Sequence, residues 1–186
     1  SLATAAFFGV GAYTVGLLYE KVPMPLLYPL AAVIGAVLAT FVGLTTLRIQ
    51  GMYFTIFTFG LAELIRQLMT WYQRNVSGSV GVYILTDISA RQIYWSLTVL
   101  LALTLFGSWL LSRSRWGLAL LMIGEDELAA RHSGVRTTAV KVITLAATSA
   151  VMSVVGAIVA PRWTYLDPNI AFNPTLSFMP AVIALL

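Results

Sequence analysis

Residues 117–141 read GLALLMIGEDELAARHSGVRTTAVK, and they hold most of the charge clustered anywhere in an otherwise apolar chain. Glu125, Asp126, Glu127, Arg131, Arg136 and Lys141 lie within the stretch, and Arg113 and Arg115 stand just upstream. Its middle reads as a short helix. Acids at the start suit the positive helix end, Glu127 reaches Arg131 at i,i+4, and Gly134 supplies a stop. Such a helix is too short and too polar to cross a bilayer, so the chain on either side must be read against it.

That surrounding chain is membrane-like. Of 186 residues, 59% are hydrophobic and 10% charged, and the mean hydropathy is +0.88, well outside the range of soluble domains. A span needs about 20 mostly apolar residues, and uncharged runs occur at 22–47, 92–112, 142–161 and 168–186. The net charge of +4 therefore describes loops rather than a nucleic-acid surface, since no basic run is interleaved with aromatics. With no cysteine, disulfides, thiolate metal sites and cysteine nucleophiles are excluded. The chain reads as the middle of a longer membrane protein, truncated at both ends. Its first apolar segment has no charged leader, and Leu186 stops early in a run that opens at Phe178.

Six membrane segments are expected, at 2–18, 26–47, 52–72, 92–111, 142–160 and from 178 onward, giving an all-α polytopic helical bundle. Small residues recur at four-residue spacing: Ala5 and Gly9, Ala12 and Gly16, Ala32 and Ala36, Gly35 and Ala39, Ala146 and Ala150, and Ser149 and Ser153 with Gly156 and Ala160. That spacing lets helices approach closely. Residues 20–25, 48–51, 75–90 and 161–177 read as turns or loops.

Orientation follows from cations in alternate loops. Arg48, Arg113, Arg115, Arg131, Arg136 and Lys141 form one set; Lys21, Arg74, Arg91 and Arg162 form the smaller other set. The larger set is placed in the cytoplasm. Trp71, Tyr72, Tyr94, Trp95, Trp163 and Tyr165 then fall at outer boundaries and Trp109 and Trp116 at the inner one, where amphipathic rings belong.

Nothing in the sequence points to catalysis, a metal or a cofactor. His132 is the single histidine, no Gly-rich loop ends in Lys-Ser/Thr, and no carboxylate cluster has ligand spacing. Glu63 and Arg66 interrupt the third segment; charges at that depth face protein or water, and their i,i+3 spacing lets them pair. They either line a pathway or form a structural ion pair. The second reading is favoured because the segment ends at Tyr72, less than two turns beyond Arg66.

Several motifs, in order, resemble the permease subunits of branched-chain amino acid ABC importers. They are Ala5-Ala6-Phe7-Phe8-Gly9-Val10-Gly11-Ala12-Tyr13-Thr14, then Leu47-Arg48-Ile49-Gln50-Gly51-Met52-Tyr53-Phe54, then Ala62-Glu63-Leu64-Ile65-Arg66. The charged stretch follows, as Ser114-Arg115-Trp116-Gly117, Gly124-Glu125-Asp126-Glu127-Leu128-Ala129-Ala130 and Ser133-Gly134-Val135, and finally Tyr165-Leu166-Asp167-Pro168. The chain departs from the family pattern at Gly124 and Leu118, where basic residues are common, and at Ser77-Gly78-Ser79-Val80-Gly81, which only partly fits.

The resemblance implies a single transmembrane permease domain over residues 1–186, with a cytoplasmic coupling loop at 113–141, in the bacterial inner membrane. It assigns Glu125, Asp126, Glu127, Leu128, Ala129, Ala130 and Gly134 to a helix docking in an ATPase cleft, with the two alanines as a small face and Leu128 as anchor. Without the resemblance, the same residues read as a solvated loop with a capped helix. The partners it implies are a second permease subunit, two ATP-binding cassette ATPase subunits, a periplasmic substrate-binding protein and the lipid bilayer. Rival readings are a urea or amide permease of the same type, a gradient-driven transporter with Glu63 carrying the proton, and a non-transporting scaffold.

Overall fold

The computed structural model describes residues 2–46, 52–79, 81–86 and 88–185. The expected turn at 48–51 with Arg48, and Val80 of the external loop, lie outside the described residues. Helices stand at all six expected apolar segments: α1 (Thr4–Leu18), α2 (Met24–Thr46), α3 (Met52–Tyr72), α4 (Ala90–Ser112), α7 (Thr137–Val159) and α9 (Thr175–Leu185). Between α4 and α7 lie α5 (Arg115–Glu125) and α6 (Glu127–His132), and the four-residue α8 (Pro168–Ala171) precedes α9. Three of the described helical stretches are long and apolar enough to cross a membrane: α2, α4 and α7 extended to Arg162. The others fall short for separate reasons. α1 has 15 residues, about 22 Å at 1.5 Å per residue; α3 carries Glu63 and Arg66; and α9 has 11 residues.

The core is a bundle of α1, α2 and α7, built on the small-residue stripes. α1 is enclosed on nearly every side, with Ala5, Ala6, Gly9, Ala12, Val15 and Gly16 all buried. α2 buries Leu27, Ala31, Gly35, Ala39 and Val42, one face at four- and three-residue steps. α7 answers with Ser149, Ser153, Gly156 and Ala157. A Cβ built on Gly11 would lie 1.8 Å from the Ser153 carbonyl oxygen, and one on Gly156 would lie 2.0 Å from that of Phe8. The backbones therefore touch, an approach that any larger residue would prevent. Ser153 Oγ donates to the Phe7 carbonyl at 3.0 Å inside this contact, a hydrogen bond that needs no water in a dry interior.

The ends of the elements follow from local chemistry. Ser89 caps α4 with its hydroxyl while Gln92 reaches back to the Ser89 amide, a reciprocal capping box. Pro25 lies in the first turn of α2, where a missing N–H costs nothing, so the expected turn at 20–25 gives up its last two residues to the helix. α7 begins at Thr137 rather than 142. Lys141 is consequently a helix residue and not a loop residue.

Two stretches expected as separate loops are joined. β1 (Val82–Tyr83) and β2 (Tyr165–Leu166) pair antiparallel, with Val82 opposite Leu166 and Tyr83 opposite Tyr165. Ile84 N–H extends the ladder to the Thr164 carbonyl at 3.0 Å. The Tyr13 hydroxyl, buried in α1, donates to the Leu166 carbonyl at 3.3 Å and ties the ribbon to the core.

Candidate functional site

The charged stretch folds as an ordered elbow. Ser114 caps α5 by accepting from Gly117 N–H at 3.4 Å. α5 buries none of its residues, and Asp126 ends it and starts α6 at the same point. The Asp126 carboxylate accepts from the Leu128 and Ala129 amides at 2.7 and 3.3 Å, which satisfies donors left open in the first turn. At the far end, Gly134 adopts φ +85°, a left-handed conformation that glycine enters without steric cost. Gly134 N–H donates to Arg131 O at 3.0 Å and Val135 N–H to Ala130 O at 3.1 Å.

Glu127 holds α6 in place. Its Oε1 lies 2.8 Å from Arg131 Nη2 and its Oε2 lies 2.5 Å from Lys141 Nζ. The first contact is the expected i,i+4 pair; the second crosses to α7. Arg131 Nε also donates to Thr137 Oγ1 at 3.1 Å, at the start of α7. The ammonium of Lys141, and after it the Arg131 guanidinium, hold the Glu127 carboxyl below the usual range. One carboxylate thus fixes a six-residue helix to a membrane-spanning one.

The elbow presents its residues unequally. Glu125, Asp126, Leu128 and Ala129 are exposed, and Leu128, at 67%, is an apolar side chain that the described residues leave largely uncovered. Ala130 is 0% exposed. The expectation that Ala129 and Ala130 together form an outward small face is corrected: Ala130 faces inward, where it packs α6 against the rest of the chain, and the outward face is Leu128 with Ala129. Glu125 belongs to the last turn of α5 rather than the first of α6.

In α3 the expected pair forms. Arg66 Nε donates to Glu63 Oε2 at 2.9 Å and Nη2 to Glu63 Oε1, a two-pronged contact suited to the planar guanidinium. Gln67 adds a 3.1 Å bond to the same carboxylate. Arg66 Nη1 donates to Asn169 Oδ1, so the pair also reaches α8. That helix is capped by Asp167, whose Oδ1 accepts from Asn169 N–H at 2.7 Å, as its Asp-Pro sequence suggests. The link from α3 to α8 spans 103 residues, too far to read from local spacing.

The fold is that of a helical integral-membrane protein with a folded polar elbow between two of its spans. The chain belongs to the branched-chain amino acid transport system / permease component family, whose model matches residues 1–186. It is 26% identical over 217 aligned positions to the high-affinity branched-chain amino acid transport system permease protein LivM of Salmonella typhimurium, covering 99% of this chain and 51% of the relative. It is 25% identical, with the same coverage, to LivM of Escherichia coli. The chain therefore spans about half the length of the curated relatives it matches. No solved structure matches it significantly.

Proposed function

We propose that this chain is the core of an inner-membrane permease subunit of a bacterial ABC importer, moving branched-chain or related amino acids with ATP hydrolysed on partner subunits. Residues 113–141 then form the cytoplasmic coupling loop of a multi-pass permease domain covering residues 1–186. The working assembly adds a second permease subunit, two ATPase subunits and a periplasmic substrate-binding protein. Family membership supports the transport class. The observation that carries the coupling reading is Glu127, which locks α6 to Lys141 of α7 while Leu128 and Ala129 stand outward.

In this reading an ATPase cleft receives Leu128, and Glu125 and Asp126 flank the contact with charge. A push on α6 cannot be absorbed locally, because Glu127 transmits it to the first turns of α7. α7 is about 35 Å long and meets α1 backbone to backbone at Gly11 and Gly156. A rigid helix in such contact moves as a body, by shear or tilt, rather than by bending. The pair Glu63 and Arg66 offers one charge of each sign to the two ends of a zwitterion. Because Arg66 and Gln67 both hold Glu63, its carboxylate is poorly placed to carry a coupling proton, which disfavours the gradient-driven alternative.

The test is the ratio of uptake to ATP hydrolysis in the reconstituted full-length complex. Leu128→Arg or Ala129→Arg should leave the subunit assembled and hydrolysis measurable while uptake falls at least tenfold. Unchanged uptake in both variants would remove α6 from the coupling role, and uptake that persists without the ATPase subunits would favour a gradient-driven carrier.

A further inference from the structure

At the N-terminal end of α5, away from α6, lies a groove in the same loop. It has a volume of about 480 Å³ and is lined by Ser112, Arg113, Ser114, Arg115, Leu118 and Leu121, with Gly117. Both arginines are exposed, and neither has a carboxylate partner among the described residues. No acid lines the groove. It therefore holds two uncompensated positive charges beside two exposed leucines, Leu118 at 59% and Leu121 at 64%.

Its position is set by α4. Arg113 lies over the Trp109 ring at 4.2 Å from the centroid, and Trp109 and Trp116 are both exposed, the arrangement expected where hydrocarbon gives way to headgroups. The span above is bare: only 6% of its apolar window is buried, and Leu101, Leu103, Leu105 and Phe106 are each about 60% exposed. At 100° per residue, steps of two, two and one residues spread these side chains over an arc of about 200°. One partner helix covers one face. Exposure over more than half of the helix surface is what acyl chains cover.

We propose that the groove between Arg113 and Arg115 binds the phosphate of an anionic phospholipid, with the glycerol and upper acyl carbons lying on Leu118 and Leu121. Two guanidiniums can share the oxygens of one phosphodiester, and a strongly hydrated ammonium would do so less well. Cations beside a span are expected from membrane orientation alone; the open groove, the missing counter-charge and the two leucines add selectivity for a headgroup. The site depends on the membrane placement of α4 and not on where an ATPase docks.

The experiment uses the full-length subunit in its assembled transporter, in nanodiscs of phosphatidylcholine with 20% phosphatidylglycerol. Retained lipid is counted by native mass spectrometry, and a photoreactive phosphatidylglycerol maps the contact by peptide sequencing. Each basic residue near a charged surface contributes about 1 kcal/mol, roughly fivefold in binding. Arg113→Gln and Arg115→Gln should each lower phosphatidylglycerol enrichment about fivefold and the double variant about 25-fold; Lys at both positions should retain part of it. In the unmodified protein the photoproduct should fall within α5, at or beside Leu118 and Leu121, a result that stands even if the double variant fails to assemble. Enrichment unchanged in an assembled double variant would overturn the proposal. So would a photoproduct confined to other helices, a cross-link from position 115 to a partner subunit, or full competition by soluble glycerol phosphate, which would make the ligand a free phosphate.

Discussion

Glu127 and Lys141 meet at 2.5 Å across fourteen residues of chain, and this contact makes α6 an extension of α7. Arg131 shares the same carboxylate, so removing Glu127 releases both cations at once. Partly exposed networks of this kind contribute on the order of 1 kcal/mol. Glu127→Ala should raise amide exchange across 127–132 by about fivefold and leave α2 and α7 protection unchanged. A double-mutant cycle of Glu127→Ala with Lys141→Ala should show coupling of about 0.5–1 kcal/mol. Additive effects would mean that the two residues act separately.

The same pair sets a pH dependence. The Glu127 carboxyl is held low by Lys141 and Arg131, so its contribution is full above the ordinary carboxylate range and is lost as pH falls through the depressed folded value. Exchange at the α6 amides should be flat from pH 8 to 5, after correction for intrinsic rates. It should rise below that, and Glu127→Gln should abolish the rise. A rise that persists in Glu127→Gln would remove Glu127 as its source.

The small-residue stripes predict where bulk cannot be added. Gly11→Ala and Gly156→Ala each place a methyl 1.8–2.0 Å from a backbone carbonyl oxygen, and backbone cannot yield as a side-chain tip can. Ala gains about 1 kcal/mol of helix propensity over Gly, but overpacking costs about 1–3 kcal/mol or more. Both variants should lower the unfolding temperature of the detergent-solubilised subunit by several degrees. Gly60→Ala, whose Cβ would meet nothing within 4 Å among the described residues beyond its own chain neighbours and helix backbone, should leave it unchanged or raise it slightly. Equal behaviour of all three would remove the close α1–α7 contact.

Those stripes were legible because they are periodic within single helices. So were the Glu127–Arg131 and Glu63–Arg66 pairs, which need only three or four residues of spacing, and the stop at Gly134. What spacing cannot carry was missed: Lys141 joining Glu127, Asn169 joining Arg66, and the β1–β2 ribbon of two residues per strand. A two-residue strand has no alternation to detect, and its partner lies beyond four helices. Ala130 was misplaced for a related reason. In a six-residue helix flanked by turns, composition marks a small face without saying which way it points. Ser153 and Phe7, whose hydrogen bond joins α7 to α1, were legible only as members of stripes, because the pairing of one stripe with another is a tertiary choice.

The Arg66 contacts separate a pathway role from a structural one. Asn169→Ala cuts the link from α3 to α8 and leaves Glu63 with its guanidinium, whereas Arg66→Gln strands the Glu63 carboxylate. If the pair is structural, both should lower the unfolding temperature, Arg66→Gln by more. Transport per folded complex should then hold, with unchanged half-saturation for substrate. If it lines the pathway, Arg66→Gln should raise half-saturation or stop uptake while stability changes little. Measuring both quantities on one preparation decides between them.

Gln73 offers a last and independent test, at the turn that follows α3. Its side chain is 1% exposed; among the described residues neither amide atom meets hydrogen-bond geometry, although Gln73 lies beside the Tyr13 hydroxyl, which donates to Leu166 O instead. Burying an unmatched amide costs about 1–3 kcal/mol, and a residue of similar length without polar atoms would avoid that cost. Gln73→Met fills nearly the same volume with a flexible thioether, so it should raise the unfolding temperature by a few degrees. Gln73→Ala should lower it by leaving a cavity. A Gln73→Met protein that unfolds earlier than the parent would show that the amide is satisfied in the membrane-embedded complex. Comparing the subunit alone with the assembled transporter would then locate the partner: a loss confined to the assembly places it on a neighbouring subunit, and a loss in both places it within this chain.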